Sequence, residues 1–365
     1  MGRHKDMKTA TQRESGRRLR WLVLAAVLVT ACSWLPARIA DLAPGGEPVA
    51  GLPQGSATPT PFLPATPTVA PSAPEALPPT PIPTVDPSRP WGAFAAPSEA
   101  SAIEIPPPAE PIAFGPNVVN VLLLGSDARP YEGGYRTDVM MVVSLDPEAG
   151  TASVFSIPRD LYVYIPGYRM ERVNVADPRG GPSLAAETIL YNFGIPIHHY
   201  ARMSFAGFTR LVDSLGGITV EVTGYLNDEC GGVWRQYGPG NYNMDGFTAL
   251  CYVRMRKNSS DFDRLRRQQE VLQAIFRKVL TLDGLRRVPD LYQQFAALVE
   301  TDIGLDRALQ LLPLAVHLSS SSENIHRLTV DPSMAIAWRV PASGAAVLLP
   351  DRPKIEAMLH ATLGS

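Results

Sequence analysis

Residues 136–160 read Arg136-Thr-Asp-Val-Met-Met-Val-Val-Ser-Leu-Asp-Pro-Glu-Ala-Gly-Thr-Ala-Ser-Val-Phe-Ser-Ile-Pro-Arg-Asp160. Two apolar runs, 139–145 and 151–157, lie on either side of the short segment from Asp146 to Gly150. Apolar runs that flank such turn-forming residues predict a β-hairpin. A third apolar run, 118–124, is closed by Gly125 and predicts a buried strand that precedes the hairpin.

Charged residues occur where these three strands would end. If the first two strands are antiparallel neighbours, Asp127 and Asp138 face each other across the base of their connecting loop. The third strand returns to the same end and brings Arg159 there. Solvated turn acids are the alternative interpretation of either aspartate. The pattern nevertheless predicts that one edge of the sheet gathers Asp127, Arg129, Arg136, Asp138, Arg159 and Asp160.

A second charged segment is Ala249-Leu-Cys-Tyr-Val-Arg-Met-Arg-Lys-Asn-Ser-Ser-Asp-Phe-Asp-Arg-Leu-Arg-Arg-Gln-Gln269. Between positions 254 and 267 it holds five arginines and one lysine against two acids, in a chain whose formal net charge is −2. Extended backbone would point Arg254 and Arg256 to one side. Helical backbone would place Arg264, Arg267 and Gln268 on one face. Because guanidinium groups fork onto phosphate oxygens, the segment indicates a phosphate site, with a solvated basic face as the alternative.

Composition divides the chain of 365 residues into parts. Residues 36–116 contain 22 of the 36 prolines and only two basic residues, Arg38 and Arg89, which is typical of a disordered or polyproline-like spacer. Residues 117–365 have regular apolar periodicity and are numerous enough for one well-buried domain. We expect the main domain at 117–282, with 283–365 as helices and strands packed on it.

Residues 1–35 have the layout of an export signal or membrane anchor. Positions 3–20 include seven Lys or Arg, Trp21–Ala31 is apolar, and Cys32 follows. Val29-Thr-Ala-Cys32 resembles a bacterial lipobox, which would place a diacylglycerol on Cys32. The apolar stretch is short for a spanning helix, but a single-pass anchor stays open. Both alternatives predict a domain on the extracytoplasmic face of the cell membrane.

Cys230 and Cys251 remain as an even pair in an oxidising compartment. They predict a disulfide, with two unpaired buried thiols as the alternative.

The remaining apolar periodicity alternates between helix and strand. It predicts a long Gly-, Asn- and Tyr-rich loop at 224–247, which would serve as a lid or substrate edge. Interleaved helices and strands indicate an α/β or α+β layered domain, with a mixed central β-sheet flanked by helices. The predicted helices are 182–193, 205–215, 261–282, 288–299, 305–318 and 351–362, and the further strands are 195–203, 218–222 and 325–330.

The motifs together resemble the LytR–CpsA–Psr family of cell-wall glycopolymer ligases. The chemistry that the residue types favour, acid-held Mg²⁺ with an arginine clamp on a phosphate, agrees with that resemblance. The matching segments, in chain order, are Asn120-Val-Leu-Leu-Leu-Gly-Ser-Asp-Ala-Arg129, Arg136-Thr-Asp-Val-Met-Met141, Ser156-Ile-Pro-Arg-Asp160, Phe208-Thr-Arg-Leu-Val-Asp-Ser-Leu-Gly-Gly217, Met244-Asp-Gly246, Ala249-Leu-Cys-Tyr-Val-Arg-Met-Arg256, Asp261-Phe-Asp-Arg264 and Arg267-Gln268.

The resemblance implies roles for individual residues. Asp127 and Asp138 would bind Mg²⁺ against the pyrophosphate of a polyprenyl-linked glycan. The phosphate-binding arginines would be Arg136, Arg159, Arg254, Arg256, Arg264 and Arg267, with Gln268 beside them. Two positions depart from the family pattern: Arg172-Val-Asn174 replaces Lys-Ile-Asn, and Asp263 replaces a glycine. The family fold also implies an apolar lipid channel, with candidate lining residues Leu184, Ile189, Phe205, Phe208, Leu211, Val212 and Leu215.

The implied activity is an extracytoplasmic, Mg²⁺-dependent phosphotransferase. It would join a polyprenyl-pyrophosphate-linked glycan to peptidoglycan or another wall acceptor, with Asp160 as a base or as an arginine orienter. A pyrophosphatase and a non-catalytic polyprenyl-phosphate or wall-polymer binder are the alternatives. No nucleic-acid partner is expected, because the sequence pI is near 6.3 and no helix-turn-helix pattern is visible.

Overall fold

The structure of the protein is a computed structural model, which describes residues 94–127, 135–257, 259–281, 292–293, 295–296 and 298–364. These residues all belong to one compact unit of the chain, Pro74–Ser365. The expected export signal, Cys32 and the spacer up to position 93 lie outside the described residues, as do Arg129 and most of the expected helix 288–299. Within the described ranges, no helix has both the length and the apolar character needed to span a bilayer.

Strands and helices interleave along the described chain. The strands are β1 (Val119–Ser126), β2 (Thr137–Asp146), β3 (Thr151–Ser156), β4 (Tyr162–Tyr164), β5 (Met170–Arg172), β6 (His199–Ser204), β7 (Ile218–Val222), β8 (Leu226–Cys230), β9 (Val233–Tyr237), β10 (Gly240–Met244), β11 (Glu300–Thr301), β12 (Ile325–Thr329), β13 (Ala335–Arg339) and β14 (Ala346–Pro350). The helices are α1 (Ala176–Phe193), α2 (Phe205–Ser214), α3 (Gly246–Arg254), α4 (Asp261–Thr281), α5 (Leu305–Ser320) and α6 (Arg352–Leu363).

Six strands form a mixed central sheet in the order β11-β6-β1-β2-β3-β12. β1, β2 and β3 pair antiparallel, and Asp146 lies opposite Thr151, so the predicted hairpin and its neighbouring strand are confirmed. β6 runs parallel to β1, and β12 runs parallel to β3. The C-terminal part of the chain therefore completes the same sheet that begins with the N-terminal motif. The other strands form the two-stranded sheets β4–β5, β7–β10, β8–β9 and β13–β14.

The two faces of the central sheet have different neighbours, because successive side chains of a strand point to opposite faces. Leu122, Met140 and Phe155 point into the main core, which α1 and α6 cover with residues such as Ile189 and Leu359. The alternate residues point to the opposite face, where α4 and α5 form a smaller core against β3 and leave apolar space beside it. One face of the sheet therefore stabilises the fold, and the other leaves room for a ligand.

The packed domain begins earlier than its composition indicates. Residues 94–116, which the proline content assigns to the spacer, lie against the domain. Phe94 packs edge-on against Tyr191, with ring centroids 4.8 Å apart, and Tyr191 donates a hydrogen bond to the Pro106 carbonyl over 2.7 Å. Arg352 of α6 donates to the Pro107 carbonyl over 2.6 Å. Prolines in this segment are compatible with packing because their neighbours provide the apolar anchors and the carbonyl acceptors.

The prediction of a long loop at 224–247 is wrong, because this segment contains β8, β9 and β10. Its glycines supply turns between strands, as at Gly231 and Gly232, whose φ angles are 62° and 76°. The Gly-rich composition reflected these turns and not an irregular lid. The short sheets β4–β5 and β13–β14 were also not predicted, because three- to five-residue strands give little periodic signal. In α1, Gly180 and Gly181 break the helix just before Pro182, where the regular helix was predicted to begin.

Candidate functional site

The first pair of predicted site residues lies at the end of β1 and the start of β2. Ser126 is opposite Thr137, so Asp127 and Asp138 follow at neighbouring positions of the same sheet edge. The Asp127 N–H donates to the Arg136 carbonyl over 3.0 Å, and the Arg136 N–H donates to Asp127 Oδ1 over 2.5 Å. These contacts fix the backbone of Arg136, whose side chain is exposed. The predicted convergence of these two aspartates at one sheet edge is therefore observed.

Arg159 joins this pair from the end of β3. Its Nη1 donates to Asp138 Oδ1 over 2.7 Å, and its Nε donates to Asp160 Oδ2 over 3.2 Å. Burial opposes the positive charge, but the hydrogen bond to Asp138 and the nearby carboxylates outweigh it, so the pKa of Arg159 is raised. Asp261 is one of those carboxylates, which shows that the start of α4 lies close to the sheet edge.

Asp160 lies between two guanidinium groups. Its Oδ1 is 3.5 Å from Arg172 Nη1, while Oδ2 accepts from Arg159. Arg172 is the last residue of β5 and lies opposite Tyr162 of β4, so this small hairpin carries it to the site. Asn174 follows in a buried turn, and its backbone N–H donates to the Arg159 carbonyl over 3.3 Å. The geometry of Asp160 is that of a residue that orients arginines.

Arg264 is a buried cation, and some of its N–H donors have no acceptor among the described residues. It lies on the first turns of α4, is 4% exposed, and places Nη1 3.1 Å from Asp261 Oδ1. Its buried Nε and Nη2 have no hydrogen-bond partner among the described residues. Burial, reinforced by the charges of Arg159 and Arg256, lowers the pKa of Arg264. Donors that are buried without partners are costly, so this guanidinium is suited to an anion.

Arg267 and Gln268 differ from Arg264 in what they contact. Arg267 is 1% exposed, and its Nη2 donates to the Met255 carbonyl over 2.6 Å. Both Nη atoms also reach Ser259 Oγ at 3.3 Å, so Arg267 mainly holds the segment that links α3 to α4. Gln268 is buried and lines an apolar cavity, with no hydrogen-bond partner for Oε1 among the described residues. The shared helix face is confirmed, but its members have separate surroundings.

The prediction of extended backbone at Arg254 is wrong, because Arg254 is the last residue of α3. Asp245 caps this helix, accepting from the Thr248 N–H over 2.8 Å, and the apolar residues that follow favour a helix over a strand. The Arg254 guanidinium lies over the Phe205 ring at 4.7 Å. Arg256 follows the helix, is exposed, and is close enough to Arg264 to affect its pKa. The alternation argument that placed both arginines on one side of an extended strand therefore does not apply.

Two apolar cavities lie between the central sheet and the helices α4 and α5. The first, of about 210 Å³, is bounded by β1, β2, β6, α2, α3 and α4. The second, of about 300 Å³, is bounded by β1, β2, β3, α4 and α5. Leu123 and Leu272 line both cavities. Other lining residues include Met141, Phe205, Phe208 and Leu250 in the first cavity, and Val143, Val154, Phe276 and Leu314 in the second.

Only three of the seven predicted channel residues line these cavities, namely Phe205, Phe208 and Leu211. Leu184 and Ile189 belong to the core on the opposite face of the sheet, and Val212 and Leu215 fill the core between α2 and β7. Helical spacing identified apolar faces correctly but did not identify what covers them. The main walls come from β1, β2 and α4, which were predicted as two apolar strands and a helix but were not named as channel walls.

Several residues that build the site were not singled out from the sequence. Asp261 pairs with Arg264, and this pairing was available from its i, i+3 spacing. Gln269 is buried and donates to Ser156 Oγ over 2.7 Å, which fixes α4 over β3. Asp228 accepts from the N–H groups of Arg256 and Lys257, and nothing in the local sequence indicated that contact.

The aspartates fit a hard divalent cation in the chemistry of their donors. Magnesium prefers carboxylate oxygens and usually keeps one or two protein ligands. Asp127 and Asp138 each have Oδ1 engaged by a hydrogen bond, from Arg136 N–H and from Arg159 respectively. Across the described residues, no group of three or more His, Cys, Asp or Glu side chains is arranged to hold a metal. The fit therefore rests on two carboxylates alone.

The cystine predicted for Cys230 and Cys251 is present. Their Cα atoms are 5.8 Å apart, and the bond joins the end of β8 to the middle of α3. It lies close to Arg256, whose segment follows α3.

The fold and the site define a mixed α/β protein in which arginines and aspartates lie beside an apolar cavity. The chain belongs to the LytR_cpsA_psr family, whose match extends over residues 108–362. The resemblance noted from the sequence motifs is therefore confirmed, and so is the mixed sheet flanked by helices.

Curated relatives are teichoic acid transferases by name. The chain is 34% identical over 204 residues to the polyisoprenyl-teichoic acid–peptidoglycan teichoic acid transferase TagU of Oceanobacillus iheyensis, covering 54% of this chain and 62% of the relative. It is 33% identical over 216 residues to TagT of Bacillus subtilis (strain 168), covering 56% of this chain and 66% of TagT. The chain thus spans slightly less than two thirds of the length of these relatives.

Solved structures have the same fold. TagV of B. subtilis superposes with a TM-score of 0.57 at 27% identity, covering 67% of this chain and 97% of TagV. TagT bound to LI-WTA superposes with a TM-score of 0.53 at 27% identity, covering 68% of this chain and 92% of TagT.

Proposed function

We propose that the protein is an extracytoplasmic, Mg²⁺-dependent phosphotransferase that joins a polyprenyl-diphosphate-linked glycan to peptidoglycan or another wall acceptor. The observation that carries this proposal is the buried guanidinium of Arg264, two of whose nitrogens have no hydrogen-bond partner among the described residues. Gln268, one helical turn further along α4, lines the first apolar cavity. A ligand that binds both the Arg264 guanidinium and the apolar cavity has a phosphate group joined to an apolar chain.

The cavities support a long hydrocarbon as the apolar part. They lie side by side along the sheet and share Leu123 and Leu272, so their walls are continuous. Burial of apolar surface contributes roughly 25 cal/mol per Å², which favours a chain over a compact group here. The relatives' names refer to polyisoprenyl-linked teichoic acid, which supports a polyprenyl carrier.

Asp127 and Asp138 would hold the magnesium ion. When bound, the ion would neutralise charge on the diphosphate oxygens and polarise the phosphorus toward attack. Arg159 orients Asp138 through their hydrogen bond and presents its own charge to the same edge. Arg136 has an exposed side chain on a backbone fixed by Asp127, so it is placed to close over a bound ligand.

In the proposed reaction, a hydroxyl oxygen of the acceptor forms a bond to the phosphorus that carries the glycan. The bond from that phosphorus to the bridging oxygen breaks, and polyprenyl monophosphate leaves with the electron pair. The proton of the attacking hydroxyl group passes to water. Arg264 and Arg159 would stabilise the negative charge on the bridging and leaving oxygens. Asp160, with one oxygen toward each of Arg159 and Arg172, would keep those guanidinium groups directed at the phosphates.

The test uses the protein with a defined polyprenyl-diphosphate glycan, Mg²⁺, and soluble peptidoglycan strands, followed by mass analysis of the products. Glycan joined to the strand through a phosphodiester, together with polyprenyl monophosphate, is the expected result. Release of glycan phosphate whether or not the strand is present would identify a pyrophosphatase instead. Unchanged lipid that co-purifies with the protein would identify a carrier, and either outcome would overturn the transferase.

A further inference from the structure

The β8–β9 hairpin and its surroundings concentrate exposed apolar side chains. Among the described residues, seven large apolar side chains stand out as exposed, and four of them lie in this hairpin or directly beside it: Tyr225, Val233, Trp234 and Phe247. Trp234 is 53% exposed. Single exposed apolar residues are ordinary, and successive residues of a strand point to opposite faces, so Val233 and Trp234 do not share one surface. This cluster belongs to neither of the apolar cavities, since no hairpin residue lines them.

The hairpin has an inner and an outer face. Leu226 and Tyr237 are cross-strand partners and are buried, and Cys230 is bonded to Cys251 of α3, so these positions face the domain. Strand alternation then directs the intervening residues outward. The outer face consists of two cross-strand pairs, Glu229 with Trp234 and Asn227 with Gln236. The outer face therefore presents the Trp234 indole beside the Glu229 carboxylate and the side-chain amides of Asn227 and Gln236.

The hairpin is attached directly to the arginine segment of the candidate site. Asp228 Oδ2 accepts hydrogen bonds from the N–H groups of Arg256 and Lys257, at 2.7 and 2.9 Å. The Lys257 ammonium lies 4.8 Å from the centre of the Trp234 ring. Trp234 therefore contacts Lys257, the residue that directly follows Arg256. A ligand on the outer face would therefore lie beside the Lys257 side chain and outside both cavities.

The chemistry of this face matches a sugar chain. Aromatic ring faces are electron-rich, so they attract the weakly positive C–H groups that line one side of a pyranose ring. Amide and carboxylate groups around the indole supply donors and acceptors for hydroxyl groups. A membrane surface would be opposed by the Glu229 carboxylate directly across from Trp234, because anionic headgroups repel it.

We propose that the outer face of the β8–β9 hairpin, centred on Trp234, binds the acceptor glycan by stacking a pyranose ring on the indole. The inference rests on the proposed function, in which the lipid donor occupies the cavity and the arginines. The acceptor must then approach the phosphorus from outside the cavity. The hairpin is held to the Arg256 segment by Asp228 on its inner face, and Trp234 on the outer face contacts the Lys257 ammonium. Trp234 and its neighbours would hold the sugar strand so that a hydroxyl group reaches the phosphate.

The test measures binding of soluble peptidoglycan glycan strands, freed of their peptides, by titration calorimetry without any donor. Trp234→Ala is expected to weaken binding at least tenfold, while Trp234→Phe, which keeps an aromatic face, stays within about threefold of the unsubstituted protein. Ile336→Ala is the matched control, because Ile336 is 68% exposed on the separate β13–β14 hairpin. It should bind like the unsubstituted protein. Equal binding by Trp234→Ala would overturn the proposal.

Two further measurements separate this proposal from its rivals. In the transfer assay, Trp234→Ala should raise the KM for the acceptor strand at least fivefold and leave the KM for the lipid donor unchanged. If the unsubstituted protein transfers nothing, the proposed function fails, whereas the donor-free titration still decides the glycan site. Sedimentation with vesicles of phosphatidylglycerol provides the last arm. Vesicle binding that Trp234→Ala abolishes, with glycan binding intact, would make the hairpin a membrane contact and overturn the glycan assignment.

Discussion

Arg159 donates a hydrogen bond from Nη1 to Asp138 Oδ1 across 2.7 Å, and the same guanidinium donates from Nε to Asp160. One side chain thereby links the start of β2 to the residues after β3. The antiparallel pairing of these strands makes the contact, since it returns Arg159 to the edge where Asp138 begins. Charge at this edge is consequently arranged before any ligand binds, which is what electrostatic stabilisation of a phosphoryl transfer requires.

The proposed magnesium site predicts that Asp127→Asn and Asp138→Asn each lower Mg²⁺-dependent turnover at least tenfold. Asparagine keeps an oxygen that can accept the existing hydrogen bond but removes the negative charge that attracts the cation. Turnover as a function of Mg²⁺ concentration and Mg²⁺ titration calorimetry provide the measurements. Asp306→Asn, on the exposed surface of α5, serves as the control and should change neither turnover nor the affinity for Mg²⁺. Full activity in Asp127→Asn would exclude that residue from the metal site.

The buried position of Arg264 predicts that its replacement by an apolar residue raises stability and lowers activity. Its buried, incompletely partnered charge costs free energy in the unliganded protein, and its ion-pair partner Asp261 is 35% exposed and can be solvated without it. Arg264→Met should therefore stabilise the fold by roughly 1 kcal/mol. The same change should lower transfer at least tenfold, because a donor to the phosphate is lost. Urea unfolding and the transfer assay measure the two effects. A variant that is both less stable and fully active would contradict the anion-binding assignment.

A matched variant sharpens the Arg264 experiment. Arg264→Lys keeps the charge and loses the forked pair of donors, so it should regain little of the activity. Binding of diphosphate raises Tm only where the anion is bound. Diphosphate should therefore raise Tm in the unsubstituted protein and not in Arg264→Met.

The Cys230–Cys251 bond closes a loop across 21 positions. By the loop-entropy relation it contributes about 3 kcal/mol to the free energy of unfolding. Cys230→Ala/Cys251→Ala should lose about that amount in urea unfolding, and reductant should lower the stability of the unsubstituted protein to the same level. Thiol labelling after denaturation should find neither cysteine free in the oxidised protein. A labelled Cys251 would show that the bond does not form in solution.

His198 predicts an acid-sensitive stability. Its Nδ1 accepts a hydrogen bond from the Asn120 N–H over 2.9 Å, so that nitrogen must be unprotonated. Burial, with the charges of His199 and Arg307, lowers the pKa of His198 below 6.5. The unfolded chain then binds more protons, and the stability present above pH 6.5 is lost as the pH falls through the lower pKa of the folded state.

The slope from this one group should reach up to about 1.4 kcal/mol per pH unit below pH 6.5. Urea unfolding at several values between pH 7.5 and 5 measures it. His198→Gln should flatten the profile, whereas His326→Gln, at an exposed position of β12, should keep it. A profile that is the same with and without His198 would show that the hydrogen bond does not control this range.

The three-strand motif was predictable because each strand carries a full apolar run and the turn has a clear composition. The positions of Asp127, Asp138 and Arg159 followed from that pairing, so one part of the site could be derived without coordinates. The conformation of the arginine segment was harder to predict. Arg254 and Arg256 alternate in sequence, which is compatible with extended backbone, but Asp245 caps a helix that continues to Arg254, and that local signal was not used.

The cavity could not be derived from periodicity, because helical spacing reports which face is apolar and not whether that face is filled. Ile189 and Phe208 both lie on apolar helix faces, yet Ile189 is part of a closed core and Phe208 lines open space. Likewise, the contact between Asp228 and the N–H groups of Arg256 and Lys257 joins segments 28 and 29 positions apart. Such contacts depend on how the two-stranded sheets dock.

Leu123 of β1 and Leu272 of α4 lie where the two cavities meet, since each of them lines both. Under the proposed function, the hydrocarbon chain passes these two side chains on its way from one cavity to the other, so their size governs how many isoprene units enter the second cavity. A smaller residue at either position would merge the cavities, and a larger one would shorten the path. Lipid-length preference could therefore diverge within the family through single substitutions that leave every charged group in place.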